Sequence, residues 1–271
     1  MPDQEYTTLL LERRGPVDWL TLNRPDALNS LNPTMVGELQ DYFLRAATDQ
    51  SLRIVVLRGA GRAFCAGLDL KSEQRNAPAT ANSGPLAGLR MQRAISEIVI
   101  RMRRCPQPII SLIQGAACGG GFALALASDI RIAARSAKMN CAFIKLGLGG
   151  CDIGASYFLP RLVGVSVASE LILTGRFIHA ERALAVGLVS EIVDDAALEA
   201  AAATYVDDML ATSPLGLRLS KECLNHSVDA GSLEAVIAME DRNQILCTQS
   251  EDFREGVAAF LERRRPSWIT G

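Results

Sequence analysis

The chain of 271 residues has few of the side chains on which several common catalytic devices depend. It contains two histidines, His179 and His226, and its seven cysteines include no Cys-x-x-Cys pair. Zinc sites and disulfide frameworks normally show such regular spacings, so neither is expected. A Gly-x-Ser-x-Gly motif is missing, and no cysteine has a histidine partner visible in the sequence. These absences argue against metal catalysis and against serine or cysteine nucleophiles.

Charge and hydropathy exclude other classes of partner. The formal net charge is -2, and the basic runs 101–104 and 263–265 are too short to form a nucleic-acid surface. No apolar run in the sequence is long enough to span a membrane, and residues 1–5 do not resemble a signal peptide. We therefore expect a cytoplasmic protein without nucleic-acid or membrane partners. No nucleotide loop is visible, so flavin or nicotinamide chemistry is not expected either.

Small residues are concentrated in two segments, 64–70 (Phe-Cys-Ala-Gly-Leu-Asp-Leu) and 115–121 (Gly-Ala-Ala-Cys-Gly-Gly-Gly). Each follows an apolar run typical of a strand, at 54–59 and 108–114, and residues 122–127 favour a helix. The glycines of the second segment are then expected at a helix N-terminus, where free N–H groups favour negative charge. Taken alone, three glycines more often form a tight turn. Taken together, the two segments predict a pair of N–H donors for a developing anion.

In these two segments the chain resembles the enoyl-CoA hydratase/isomerase (crotonase) superfamily, whose members stabilise a thioester enolate. The resemblance extends over most of the chain through 22–29 (Leu-Asn-Arg-Pro-Asp-Ala-Leu-Asn), 159–164 (Leu-Pro-Arg-Leu-Val-Gly) and 251–261. It implies an α/β fold, a spiral of repeated ββα units over residues 1–195, followed by a helical region, 196–271, that packs subunits into a homotrimer or a dimer of trimers.

The resemblance also implies roles for individual residues. The two oxyanion donors would be the N–H groups of Ala66 and Gly120, and each such donor is typically worth about 3 kcal/mol in the transition state. Coenzyme A, carried by the acyl-CoA substrate rather than bound as a cofactor, would contact residues near the entrance, the backbone after the first donor, and the last helix of a neighbouring subunit. These residues are Arg24, Ala27 and Leu28, then Leu68, Asp69 and Leu70, and finally Phe260 and Arg263. Asp69 has a plain alternative as a turn or cap residue, and an exposed amphipathic helix would also carry Phe260 and Arg263.

The proton-transfer groups differ from those of the family's hydratases. Two glutamates are expected in a hydratase, and the corresponding positions here hold Ala123 and Phe143. Neither side chain transfers protons. Asp152 remains, at the position of the catalytic carboxylate in several isomerases of the family when counted back from Leu159-Pro160-Arg161, although it is displaced by one residue when counted from Gly147. The alternative is that Asp152 caps a helix beginning near Ile153.

Hydrophobic periodicity predicts the elements around these motifs. We expect a hairpin about Gly15-Pro16, a helix opened by Asn32-Pro33, strands at 53–58, 109–113, 129–134 and 139–141, and helices over 89–104 and 120–128. From residue 195 onward only helices are expected, at 196–211, 214–228, 231–248 and 252–264. The segment 72–88 is polar and rich in Gly and Pro, and it is expected to be either a lid over the acyl chain or a solvated linker.

The sequence therefore predicts an enzyme that moves a double bond in an acyl-CoA thioester, with Asp152 as acid and base. A hydratase with an unidentified acid and base and a non-catalytic acyl-CoA binding protein are the alternatives, and thioester hydrolysis ranks third. We expect Met139, Phe143, Tyr157, Phe158 and the segment 72–88 to line the acyl pocket.

Overall fold

The computed structural model of the protein describes residues 5–71 and 84–268. Within these ranges, strands and helices alternate up to Val193, and the chain is helical thereafter. The strands are β1 (Leu9–Arg14), β2 (Val17–Leu22), β3 (Ile54–Gly59), β4 (Ile109–Ile113), β5 (Ala116–Cys118), β6 (Ile130–Ala134), β7 (Lys138–Asn140), β8 (Ile178–His179) and β9 (Glu191–Val193). The α-helices are α1 (Pro33–Ala46), α2 (Gly84–Arg104), α3 (Gly120–Ala127), α4 (Ala155–Thr174), α5 (Ala180–Ala185), α6 (Leu198–Leu210), α7 (Pro214–Ser227), α8 (Leu233–Thr248) and α9 (Glu251–Glu262).

Two sheets organise the first part of the chain. The larger has the strand order β1-β2-β3-β4-β6-β9, and β1 pairs with β2 in the only antiparallel arrangement of this sheet. The smaller has the order β5-β7-β8. Strand β4 is buried along its whole length, as expected where both faces of a parallel sheet are covered.

Alternation along the strands divides the buried side chains between two cores. Val55 and Leu57 of β3 point into the main core, whereas Ile54 and Val56 pack with Leu198 and other residues of α6 on the opposite face. The fold is therefore mixed α/β with C-terminal helices, as predicted. Helix α6, the first of those helices, covers one face of the large sheet. The domain boundary predicted at residue 195 stays a prediction.

Local signals located several elements correctly. The side chain of Asn32 accepts a hydrogen bond of 2.9 Å from the Met35 N–H and thereby caps α1. Helix α2 begins at Gly84, earlier than expected, because Pro85 lies in its first turn, where a missing N–H is harmless. The remainder of the predicted lid or linker, residues 72–83, lies outside the described residues.

Helix α4 is long and apolar enough, by length and composition, to cross a membrane. It is interrupted at Gly164, whose φ of 76° and ψ of 161° are not helical, and it contains Pro160. A membrane span needs about twenty continuous helical residues, and the break leaves each half too short. We therefore read α4 as two packed helical segments.

Candidate active site

The two segments rich in small residues lie side by side. The Phe64 N–H donates to the Gln114 carbonyl over 2.8 Å, the Cys65 N–H to the Ala116 carbonyl over 3.0 Å, and the Cys118 N–H back to the Cys65 carbonyl over 3.0 Å. A β-carbon built on Gly121 would lie 2.1 Å from the Cys65 carbonyl oxygen. Only glycine permits this approach, so backbone contacts alone fix the distance between the segments.

The second segment ends in the turn that starts α3. Gly119, the N-cap residue, has a φ of 50° and a ψ of -117°, which residues with a β-carbon avoid. Gly120 is the first residue of α3, so its N–H belongs to the first turn, which has no intrahelical acceptor. Every residue of α3 is buried, and the helix N-terminus therefore presents an N–H group within the protein rather than to bulk water.

The amide groups of the first segment differ from the prediction. The Ala66 N–H donates to the Leu28 carbonyl over 2.9 Å, so its only hydrogen is already engaged and the predicted donor role of Ala66 is not supported. Two residues later, the Leu68 N–H has no acceptor among the described residues. Gly67 between them has a φ of 95°, and a β-carbon built on it would lie 3.6 Å from the Gly120 nitrogen. The structure thus brings Leu68, rather than Ala66, together with Gly120 as the candidate donor pair.

An ion pair connects two groups of predicted coenzyme A contacts, because Arg24 belongs to the group near the entrance and Asp69 to the group in the first segment. Its Nη2 donates to Oδ2 of Asp69 over 2.8 Å, and Asp69 is buried. A second nitrogen of Arg24 donates to the Ser30 carbonyl. Ala27 and Leu28 are half-buried beside this pair, and Leu70 is exposed. The contact gives Asp69 a tertiary role beyond that of a local cap.

Asn29 anchors residues 24–28, here called the entrance segment, and sequence reasoning missed this role. It is fully buried, and its Nδ2 donates to the carbonyls of Ala60 and Ala63 over 2.8 Å each. Its Oδ1 accepts the Arg24 N–H over 2.8 Å. Asn29 has a φ of 55°, a left-handed conformation that asparagine adopts more readily than most residues. An Asn following the Arg-Pro turn was the only signal available in the sequence.

The two positions at which a hydratase of the family carries glutamate are apolar in this structure. Ala123 is buried within α3, and Phe143 is buried in the 3-10 turn Ala142–Leu146. A β-carbon built on Gly119 would lie 3.3 Å from Cε1 of Phe143, so this ring covers the glycine turn. The side chains at these positions shield the turn from water and offer no proton.

Asp152 supplies a carboxylate in the turn before helix α4. The residue is half-buried, and its Oδ1 accepts hydrogen bonds from Gln92 Nε2 over 2.5 Å and from the Ile153 N–H over 2.8 Å. Its Oδ2 has no hydrogen-bond partner among the described residues. Burial raises the pKa of Asp152 above its ordinary value of 3.8, and the two hydrogen bonds oppose that rise. One oxygen is held and the other is available.

Asp152 does not cap a helix, contrary to the alternative raised from the sequence. Helix α4 begins at Ala155 with Gly154 as its N-cap, and no side chain caps it. Ile153 has a φ of 45°, an unusual conformation for a β-branched residue. Its Cδ1 would lie 3.6 Å from a β-carbon built on Gly120. This strained turn therefore places the residue after Asp152 against the start of α3.

A cavity of about 720 Å³ continues from Ile153 and Gly154 between helices α2, α4 and α7. Tyr157 and Phe158 line it, whereas Met139, also predicted to contact the acyl chain, is fully buried and does not. Its volume lies in the range of small-molecule pockets. Cations and acids line it as well, and the charged residues are Arg103, Arg104, Arg218, Lys221, Glu222 and Asp229.

The predicted coenzyme A contacts of the last helix are Phe260 and Arg263. Phe260 on α9 is exposed, and Arg263 is the C-cap residue that follows α9. In the described ranges, no hydrogen bond or ion pair joins either residue to the entrance segment. The structure of one subunit therefore does not bring them together with the other predicted contacts, and their role stays a prediction.

Cysteine thiols near the site are poor nucleophiles. Burial raises the pKa of both Cys65 and Cys141 to about 12, and it raises the pKa of Cys118. The thiolate is the reactive form, so these residues act as small packing groups. No cluster of His, Cys, Asp or Glu suited to a metal ion occurs in the part of the chain that the structure describes.

A family model described as enoyl-CoA hydratase/isomerase matches residues 12–270. The chain belongs to the enoyl-CoA hydratase/isomerase family. Enoyl-CoA hydratase from Bacillus anthracis superimposes with a TM-score of 0.91 at 32% identity, and the match covers 98% of this chain and all of that one. The match confirms the crotonase fold, and membership of the family supports an enzyme that acts on acyl-CoA.

Curated members of the family similar to this chain carry both kinds of name. The 1,2-epoxyphenylacetyl-CoA isomerase of Escherichia coli is 41% identical over 250 residues, which cover 92% of this chain and 93% of that protein. The (E)-benzylidenesuccinyl-CoA hydratase of Thauera aromatica is 35% identical over 260 residues, which cover 95% of this chain and 97% of that protein. Relatedness alone thus leaves isomerisation and hydration open, and the choice depends on the side chains of the site.

Proposed function

We propose that the protein isomerises the double bond of an unsaturated acyl-CoA, with Asp152 as both acid and base. The observation that carries this proposal concerns Asp152: it precedes Ile153, whose side chain lies against the start of α3, and one of its carboxylate oxygens is held while the other has no partner among the described residues. Ala123 and Phe143 replace the groups that would position and activate water. A single carboxylate is sufficient for a proton shift, whereas hydration needs a second group for the water.

The chemistry follows from two features. Oδ2 of Asp152 removes a proton from a carbon of the acyl group, and the electron pair of that C–H bond delocalises onto the thioester oxygen as a dienolate. The N–H groups of Leu68 and Gly120 hold this oxygen while its charge develops. The protonated carboxyl then returns the same proton to another carbon of the conjugated system. The double bond has moved, no water has been added, and the carboxylate is regenerated.

The acyl group is proposed to extend into the cavity that begins at Ile153. Phe158 and Tyr157 offer aromatic surfaces there, and the volume of about 720 Å³ exceeds the needs of a short straight chain. The similar isomerase and hydratase named above have acyl groups with a six-membered carbon ring in their names, an epoxidised phenyl ring in the first and an aromatic benzylidene group in the second. Aromatic acyl-CoA esters therefore belong in the substrate panel beside straight chains.

The test is to incubate the purified protein with 2-enoyl-CoA, 3-enoyl-CoA, dienoyl-CoA and 1,2-epoxyphenylacetyl-CoA esters. Mass spectrometry and diene absorbance then follow each ester. We expect a mass-neutral change that Asp152→Asn slows by about 10²- to 10⁴-fold, the usual contribution of a positioned acid and base. Binding of a saturated acyl-CoA should survive this substitution, as isothermal titration calorimetry would show.

Two other results would replace the proposal. A mass gain of one water from the 2-enoyl ester would establish a hydratase whose acid and base are other groups. Tight binding of every ester without conversion, unaffected by Asp152→Asn, would indicate a non-catalytic acyl-CoA binding protein. An unchanged kcat in Asp152→Asn would sink the assignment of Asp152 whichever product appears.

We also propose that the C-terminal helices assemble the protein into a homotrimer or a dimer of trimers. Large apolar side chains are exposed on α8 and α9, which supports burial of these helices against another copy. They include Leu233, Ile237, Ile245, Leu246, Phe253, Val257, Phe260 and Leu261. Light scattering coupled to size-exclusion chromatography measures the mass directly, and a monomer at micromolar concentration would contradict the proposal.

A further inference from the structure

Gln92 lies at an unusual position for a polar side chain. Ile95, Val99 and Met102 form a buried stripe on α2, and Gln92 precedes them at helical spacing on the same face. A polar group there is expected to have a specific partner, because an unsatisfied one is costly. Its partner is Oδ1 of Asp152, sixty residues away in sequence.

The hydrogen bond complements the backbone on the other side of the carboxylate. Ile153, in its left-handed conformation, turns its N–H toward the same Oδ1 over 2.8 Å. Two donors from different elements therefore converge on one oxygen. Rotation of the carboxyl group about its Cβ–Cγ bond would break both hydrogen bonds, so the arrangement keeps Oδ2 apart from them.

We propose that Gln92 is a positioning residue that holds Oδ1 of Asp152 and so reserves Oδ2 for the transferred proton. This inference rests on the proposed function of Asp152. Gln92 itself neither donates to nor accepts from the reacting carbons. In the described part of the chain, the Ile153 N–H is the only other donor to this carboxylate.

The electrostatics of the carboxyl group make the role measurable. Apart from burial, the groups that shift the pKa of Asp152 are the Ile153 N–H and the Gln92 amide, and no charged side chain in the described ranges contributes. The Gln92 hydrogen bond lowers the pKa of Asp152, whereas burial raises it. Removal of the Gln92 donor should therefore raise this pKa further. A residue that only supported helix α2 would not change this titration.

The experiment compares Gln92→Leu with a control that loosens the same helix elsewhere. Nε2 of Gln40 on α1 donates to the Ala94 carbonyl of α2, so Gln40→Leu removes an amide contact to α2 without touching Asp152. The readouts are the pH profile of kcat and the carbon-13 titration of the labelled Asp152 carboxyl, assigned with Asp152→Asn. The second readout needs no turnover.

We expect Gln92→Leu to lower kcat about tenfold with a nearly unchanged KM. The acid limb of the pH profile of kcat and the titration of the Asp152 carboxyl should both move to higher pH, by about one pH unit. Gln40→Leu should move neither titration. An unmoved titration in Gln92→Leu, or the same shift in both variants, would overturn the inference. Full activity of Asp152→Asn would instead overturn the proposed function, so the two failures are distinguishable.

Discussion

The guanidinium of Arg24 lies 2.8 Å from the buried carboxylate of Asp69, and this ion pair connects the entrance segment to the strand exit that carries Leu68. The side chain of Arg24 is 21% exposed and that of Asp69 is 9% exposed, so the pair is only partly accessible to solvent. Because Asp69 directly follows Leu68, we expect loss of the Arg24 charge to change the orientation of the Leu68 N–H as well.

Arg24→Met should therefore destabilise the protein, because it leaves the Asp69 carboxylate buried without this cation. We expect a loss of about 2 kcal/mol in urea unfolding, below the 3 to 5 kcal/mol typical of a fully buried pair, since Arg24 retains some exposure. Asp26→Asn, an exposed acid in the same turn, serves as the control and should change the free energy by less than about 0.5 kcal/mol. Equal stability of Arg24→Met and the wild type would show that the pair contributes nothing.

The donor pair can be tested by the vibrational frequency of the bound thioester. Gly67→Ala should displace the Leu68 N–H, because φ at this residue is 95° and the new β-carbon would lie 2.8 Å from the Cys118 carbonyl oxygen. Isotope-edited infrared spectroscopy of a bound acyl-CoA should then show a smaller red shift of the carbonyl band and a kcat reduced about 100-fold. A red shift preserved in Gly67→Ala would remove Leu68 from the proposed pair.

Burial of Asp152 predicts a link between activity and stability. Below the ordinary pKa of 3.8 the carboxyl is protonated in both the folded and the unfolded chain, and burial then costs nothing. As the pH rises through the raised pKa, the folded state must hold a half-buried carboxylate, so stability is lost while the basic form that the proposed mechanism requires appears. We expect Asp152→Asn to raise Tm at pH 7 and to leave it unchanged at pH 3. A gain of equal size at both pH values would point to packing rather than charge.

Substitution by alanine should have opposite effects on stability at Gly121 and at Gly37. Gly121→Ala would place a β-carbon 2.1 Å from the Cys65 carbonyl oxygen, and we expect loss of the native fold or of all activity. Gly37 is exposed within α1 and has nothing within 4 Å of its built β-carbon, so Gly37→Ala should stabilise the protein by about 1 kcal/mol. Circular dichroism and thermal melting of both variants measure the contrast. A stable, active Gly121→Ala variant would contradict the close approach of the two segments.

Much of the fold was predictable because its signals are local. The Asn32-Pro33 helix start and the hairpin about Gly15 each depend on a few adjacent residues. The site was less predictable, because its contacts join distant segments. The hydrogen bond from Ala66 to Leu28, the pair of Arg24 with Asp69, and the contact of Gln92 with Asp152 leave no pattern in a single sequence. The predicted start of α2 was late because a Gly-Pro dipeptide also favours a loop.

The glycine turn and the segment beside it are held by backbone contacts, whereas the proposed reaction depends on the side chains at positions 123, 143 and 152. The hydrogen bonds that join the two segments are therefore made without any of those three side chains. Under the proposed function, side-chain exchanges at these positions would change the fate of the enolate, by protonation at another carbon or by addition of water, while the backbone contacts between the two segments remained.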